Sequence, residues 1–130
     1  MREAVATLSA PQAIGPYSQG IKVGNLVFIS GQVGTDPETG ALETGGIEIQ
    51  TRRALKNLEA VVTGAGLELK DVVKVNVYLT DMGDFAAMNA VYREFFESPF
   101  PARCCVHVGD LAGDADVEID AMAVGNPQPK

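Results

Sequence analysis

Only two stretches of this 130-residue chain have the periodicity of an amphipathic helix, and the other regular stretches are short. In residues 47–63 and again in residues 85–97, apolar side chains recur at intervals of three and four. The remaining runs are apolar or alternate like strands, and they cover residues 21–23, 26–30, 72–80, 103–108 and 117–124. This order predicts an α+β fold in which both helices cover one face of a sheet of four to six strands.

The second face of that sheet also needs a cover, because several of the strands are apolar on both sides. Two helices cannot cover two faces, and 130 residues suit a single domain, predicted to span residues 1–130. The sequence therefore predicts self-association, with sheet faces packed against one another.

Turn and cap residues set the expected boundaries of these elements. Gly24-Asn25 is a turn dipeptide that predicts a hairpin, Gly31 is expected to end its second strand, and Asp84 is expected to cap the second helix. The turn after residues 103–108 is short. We therefore expect the last strand to pair antiparallel with them, bringing Glu118 or Asp120 near Arg103.

The charge balance restricts the partners. The net charge is −7, and only Arg52, Arg53 and Lys56 cluster, at a spacing typical of the wet face of a helix. A nucleic-acid-binding surface normally shows a basic footprint, so nucleic acid is disfavoured as a partner. No apolar run approaches the roughly 18 residues of a membrane span, and the first ten residues lack a signal-peptide pattern, which predicts a cytoplasmic protein without membrane contact.

Arg103 stands at the start of a predicted strand, directly after Pro99-Phe100-Pro101. Strand alternation puts Arg103, Cys105 and His107 on one face. A guanidinium there can bind a carboxylate through two parallel hydrogen bonds, or it can form an internal ion pair with an acid of the protein. The pattern alone leaves both interpretations open.

Other candidates are less specific. Glu118 either faces solvent or faces a pocket, where burial would raise its pKa and suit proton transfer. Cys105 has no histidine within hydrogen-bond reach, since His107 lies roughly 6–7 Å along the same strand. Cys104 and Cys105 point to opposite faces, which disfavours a disulfide, and two cysteines with one histidine cannot build a structural zinc site. Tyr17 is either a packing residue or a hydroxyl donor.

Four motifs coincide in spacing along nearly the whole chain: "AIGPYSQG" (13–20), "VFISGQVGTDPETG" (27–40), "NAVYREFFESPFPARCCV" (89–106) and "VEIDAMAV" (117–124). Together they resemble the RidA/YjgF family, the reactive intermediate deaminases. The resemblance implies a chorismate-mutase-like α+β domain with a mixed sheet of about six strands. It also implies a homotrimer whose sheets line a central barrel, with active sites in the clefts between subunits.

The resemblance also assigns roles to single residues. It implies that Arg103 binds the substrate carboxylate and that Glu118 positions or activates water. It further implies that Tyr17 is a catalytic residue. The additional substrate-binding residues that it implies are Ser30, Gly31, Asn89 and Cys105. Cys104 and His107 depart from the family pattern, which has a serine and often an acid there, and neither is expected to carry chemistry.

The reaction implied by the resemblance is hydrolysis of 2-imino and enamine acids, such as 2-iminopropanoate and 2-iminobutanoate, to a 2-oxo acid and ammonia. An imine carbon is already electrophilic, so no cofactor or metal is expected. Two alternatives stay open: cleavage of single-stranded RNA, an activity attributed to some relatives, and non-catalytic or chaperone-like binding of 2-oxo acids.

Overall fold

The computed structural model describes residues 1–125, which build one six-stranded sheet with two α-helices against one face. The strands are β1 Arg2–Val5, β2 Gly20–Val23, β3 Leu26–Val33, β4 Val72–Leu79, β5 Ala102–His107 and β6 Val117–Val124; the helices are α1 Ile47–Gly64 and α2 Phe85–Phe95. Their order across the sheet is β1-β2-β3-β6-β4-β5, antiparallel except for the parallel pair β4–β5. The predicted α+β class and mixed six-stranded sheet are confirmed.

Helix α1 follows the predicted stripe closely. Thr51, Ala54, Leu58, Val61 and Val62 are all fully buried against the sheet, as expected for side chains at three- and four-residue intervals. The helix ends at Gly64, and the chain then turns through Gly66, whose φ of +86° is a conformation that glycine adopts without strain.

Helix α2 buries Met88, Val91 and Tyr92 and ends at Phe95, two residues before the predicted end. Its predicted cap is wrong. Asp84 makes no side-chain capping bond, because it belongs to a short 3-10 turn, Met82–Asp84, that precedes the helix. The carboxylate that caps this turn is Asp81, which accepts a hydrogen bond of 2.8 Å from the Gly83 backbone N–H.

The predicted pairing of the last strand is also wrong. β6 does not pair with β5; it lies between β3 and β4. The reason is that β4, α2 and β5 form a crossover unit, in which the helix returns the chain to a parallel position at the sheet edge. The inner position is left to β6, whose Val117, Ile119, Ala121 and Ala123 are buried as the alternation predicts.

Irregularities shift two further boundaries. β3 continues through Gly31 to Val33 instead of ending at the glycine, with a register shift between Ile29 and Gln32. A second shift lies near the start of β4, where Val72 is buried and Val73 is exposed. Such bulges re-aim the side chains next to them.

The face of the sheet opposite the helices is open. Phe28 and Met122, which are register partners on β3 and β6, and Val106 on β5 keep 37–41% of their surface exposed there. Within residues 1–125, the two helices therefore cover one face of the sheet and leave the other open, as predicted.

Candidate active site

Arg103 projects from β5 towards the helices. It is the register partner of the buried Val75 on β4, so its side chain shares the face that α2 covers. The guanidinium carbon lies 4.7 Å from the ring centre of Tyr92 and 5.7 Å from that of Phe85. One N–H points to the Met88 sulfur at 3.9 Å, which is a weak acceptor. Aromatic faces and a thioether thus hold this cation.

No acid pairs with Arg103 among residues 1–125. The internal ion pair that the sequence left open is therefore not formed within the described chain. Since a guanidinium has five N–H donors in a rigid fork, most of its hydrogen-bonding capacity stays available to a ligand.

A cleft of about 280 Å³ opens beside this guanidinium. It is lined by Arg103 of β5, by Pro101 and Phe100 before it, and by one face of α2 that carries Asn89, Tyr92 and Arg93. The structure therefore brings together two predicted site residues, Arg103 and Asn89. Tyr92 is a residue that the sequence analysis missed. Burial raises its pKa to about 12, and its hydroxyl has no hydrogen-bond partner in the described chain.

Cys105 lies on the same face of β5 and packs against the core. Burial raises the pKa of its thiol, and the nearby Arg103 offsets only part of this effect. The thiol is therefore protonated at neutral pH, which disfavours a nucleophilic role. Cys104 is exposed on the opposite face, and both thiols are free, in agreement with the predicted lack of a mutual disulfide.

Glu118 lies on the open face of the sheet, opposite Tyr78 on β4 and Val33 on β3. Its carboxyl group rests directly against Gly31, so closely that a Cβ at position 31 would collide with it. Burial raises the pKa of Glu118, and the neighbouring Asp120 raises it further. Glu118 and Gly31 thus form a second group of predicted site residues.

A polar network beside Glu118 is not evident from the sequence. Asp120 accepts a hydrogen bond of 2.8 Å from the Asn76 amide and another of 2.8 Å from the Tyr78 hydroxyl. The bond to Asp120 is the main reason why the pKa of Tyr78 is raised to about 12. This network fixes the Asp120 carboxylate close to Glu118, and only the register between β4 and β6 reveals it.

Tyr17 lies in the loop between β1 and β2 and is 54% exposed. The loop is held by the buried Gln19, whose amide nitrogen donates to the carbonyls of Thr7, Ala10 and Pro11. Ser30 on β3 fastens the same loop, since its hydroxyl donates to the Ser18 carbonyl at 2.5 Å. Gln19 is a positioning residue that the sequence analysis missed, and the only available signal was an amide side chain within a Pro/Gly-rich segment.

One chain does not bring Arg103 and Glu118 together. The expectation that the arginine's strand would adjoin Glu118 or Asp120 is wrong, because β4 lies between β5 and β6. Arg103 and Glu118 are separated by two strand spacings across the sheet and by three residues along the strand direction. Their Cα atoms are therefore about 14 Å apart. Their side chains also point to opposite faces, so their charged ends are farther apart still.

Arg52 and Arg53 of α1 are paired surface groups. Arg52 binds Glu94 at 2.8 Å and Arg53 binds Glu43 at 3.0 Å, which agrees with a solvated helix face. A wider cleft of 590 Å³ lies elsewhere, but Glu59, Glu68 and Glu97 line it, which does not suit an anionic ligand. Within residues 1–125 there is no cluster of three or more metal-ligating side chains and no helix long and apolar enough to cross a membrane.

Comparison with known proteins places this architecture in a family. The family model described as endoribonuclease L-PSP matches residues 7–125. A RutC family protein of Pyrococcus horikoshii is 51% identical over 95% of this chain and 98% of its own. A 2-iminobutanoate/2-iminopropanoate deaminase of Salmonella typhimurium is 46% identical over 95% of this chain and 98% of its own. The crystal structure of E. coli TdcF with bound serine superposes with a TM-score of 0.91 at 42% identity, covering 95% of this chain and 99% of the other.

The fold is therefore the small α+β fold that these relatives share. The chain belongs to the RidA/YjgF family, as its four motifs indicate.

Proposed function

We propose that this protein is a hydrolytic deaminase of 2-imino acids and their enamine tautomers, with 2-iminopropanoate and 2-iminobutanoate as substrates. The observation that carries the proposal is the Arg103 guanidinium, held by Tyr92 and Phe85 in an open cleft without an acidic partner in the described chain. In a protein of net charge −7, a cation left in this way is suited to a small carboxylate ligand.

Arg103 binds the substrate carboxylate with its fork and fixes the direction of the C1–C2 bond. Asn89 on α2, which lines the same cleft, contributes a further hydrogen bond. Because burial raises the pKa of the Cys105 thiol, Cys105 is assigned no nucleophilic role and packs against the core beside Arg103.

Glu118 handles water and protons. Its raised pKa brings it closer to neutral pH, where a carboxylate both accepts and returns a proton effectively. Water adds its oxygen to C2 as the C=N π electrons move to nitrogen, and Glu118 takes one proton from the water and returns it to nitrogen. Glu118 then takes the remaining hydroxyl proton and passes it to nitrogen while the C=O bond forms and the C–N bond breaks, so that ammonia leaves. Imine and water are thus converted to 2-oxo acid and ammonia without a cofactor.

The two halves of this site meet only if they come from different chains. We infer a homotrimer in which the open sheet faces line a central barrel, burying Phe28, Val106 and Met122. Each cleft then combines Arg103 of one chain with Glu118, Gly31 and the Ser30-anchored Tyr17 loop of another. The 14 Å separation within one chain is the geometric reason for this assignment.

The relatives support the reaction class. The Salmonella relative is named a 2-iminobutanoate/2-iminopropanoate deaminase, and the E. coli relative TdcF was crystallised with serine, which, like a 2-imino acid, carries its nitrogen on the carbon next to the carboxylate.

The test is ammonia release from imines that an L-amino-acid oxidase generates in place. We expect wild-type protein to accelerate release from the imines of alanine and 2-aminobutyrate, and Arg103→Ala to lose this acceleration. Equal rates with and without wild-type protein would contradict the proposal.

Two other functions give different results in the same experiments. The family model is described as an endoribonuclease, so RNA cleavage is the second candidate. The charge of −7 and the pairing of Arg52 and Arg53 with glutamates argue against an RNA surface. Tight binding of 2-oxobutanoate without turnover would instead indicate a ligand-binding or chaperone-like protein.

A further inference from the structure

The cleft beside Arg103 contains a second guanidinium, that of Arg93. Arg93 lies one helical turn after Asn89 on α2, and both line the same 280 Å³ cleft as Arg103. The lining of the cleft therefore includes two arginines and an amide together with the apolar side chains of Phe100 and Pro101.

The acids near Arg93 do not neutralise it. Glu94 follows it directly, but its carboxylate turns to α1, where it binds Arg52 through two hydrogen bonds of 2.8 and 3.2 Å. Glu97, one turn further on, lines the separate 590 Å³ cleft. Among residues 1–125, Arg93 forms no ion pair.

The arginines of this acidic chain differ in whether they are paired with acids. Acidic residues outnumber basic ones by 17 to 10, and Arg52 and Arg53 both bind glutamates. The two arginines of α2 and β5, in contrast, face one small cleft together and lack such partners in the described chain. Two like charges in one cleft repel each other, and a ligand with two negative charges removes that repulsion.

We propose that the cleft accepts 2-imino acids with a second carboxylate, the imines of aspartate and glutamate, and that Arg93 is the residue that selects them. This inference rests on the proposed function and extends its substrates to 2-imino acids with two carboxylates. Arg103 binds the C1 carboxylate, and Arg93 binds the carboxylate at the far end of the side chain. The hydrolysis is unchanged: one water enters, and the 2-oxo dicarboxylate and ammonia leave.

Binding is the primary test, because it does not depend on turnover. By calorimetry, we expect wild-type protein to bind 2-oxoglutarate about tenfold more tightly than 2-oxobutanoate, the effect of one added charge-assisted hydrogen bond. Arg93→Gln is expected to abolish this preference and Arg93→Lys to restore part of it. The matched control is Arg2→Gln, an exposed arginine on β1 away from the cleft, which should keep the preference.

The kinetic test uses the ratio of kcat/KM for the glutamate imine to kcat/KM for the 2-aminobutyrate imine. We expect this ratio to fall about tenfold in Arg93→Gln and to stay unchanged in Arg2→Gln. Equal affinity of wild type for the two oxo acids, or a preference that survives Arg93→Gln, would overturn the inference even if imine hydrolysis is fast. Absence of all imine turnover together with an Arg93-dependent preference would contradict the proposed function and support the dicarboxylate site.

Discussion

Arg103 and Glu118 lie on opposite faces of the same sheet, and their surroundings act on charge in opposite ways. Around Arg103, Tyr92 and Phe85 offer ring faces that favour the cation. Around Glu118, burial and the neighbouring Asp120 disfavour the anion and raise its pKa. One region is thus suited to keeping a fixed charge, and the other to exchanging a proton.

This contrast also separates binding from chemistry. The cleft at Arg103 is built by α2 and β5 within one chain, whereas Glu118 lies on the open face, which another copy covers in the proposed trimer. Substitutions in the two regions should therefore differ in their kinetic signature, and in whether a second chain can compensate for them.

The largest effect is expected from Glu118→Gln. This change keeps the shape of the side chain but removes the group that takes and returns a proton, so we expect kcat to fall about a thousandfold with little change in KM. Steady-state ammonia release checks it. If KM rises while kcat stays near wild type, Glu118 is a binding group and the contrast is wrong.

Arg103→Ala is expected to raise KM and lower kcat/KM about a hundredfold, because a two-bonded contact with the carboxylate is lost. Arg103→Lys keeps the charge but not the planar fork, and it should recover only part of this loss. A lysine variant with full activity would show that charge alone suffices.

A smaller effect is expected at Tyr92. Removing the ring in Tyr92→Ala takes away the surface that holds the guanidinium and should lower kcat/KM about tenfold. Tyr92→Phe keeps the ring and removes only a hydroxyl without a partner in the described chain, so its activity should be within about twofold of wild type. Equal losses in both variants would assign the effect to the hydroxyl.

Glu118 also gives a pH-dependent prediction for stability. Its pKa is raised on folding, so the folded state binds the proton more tightly, and stability falls as the pH rises from the ordinary pKa of 4.5 through the raised value. Glu118→Gln removes this penalty. The free energy of unfolding of Glu118→Gln, measured relative to that of wild type, should therefore increase as the pH rises to 7. If the free energies of unfolding of wild type and Glu118→Gln depend on pH in the same way from pH 4 to 7, folding does not shift this pKa.

Several parts of this account could be predicted from sequence because they depend on local patterns. The stripe of α1, the hairpin at Gly24 and the alternation of β6 follow from periodicity and turn chemistry within a few residues. The four motifs gave the family, and through it the candidate residues.

The neighbours of each strand could not be predicted in this way. A short turn before β6 suggested pairing with β5, but the crossover through α2 places β4 between them. The cap at Asp81, the bulge at Gly31 and the contact of Tyr92 with Arg103 likewise depend on tertiary packing, which leaves no periodic signal.

The most direct test of the central claim is subunit complementation between Arg103→Ala and Glu118→Gln. The two inactive variants are co-expressed with different tags, and oligomers that contain both are purified and assayed. If each site takes Arg103 from one chain and Glu118 from the next, every mixed trimer has one intact site in three, and about a third of wild-type activity returns. If both residues act within one chain, each chain remains defective and no activity returns, which would contradict the account.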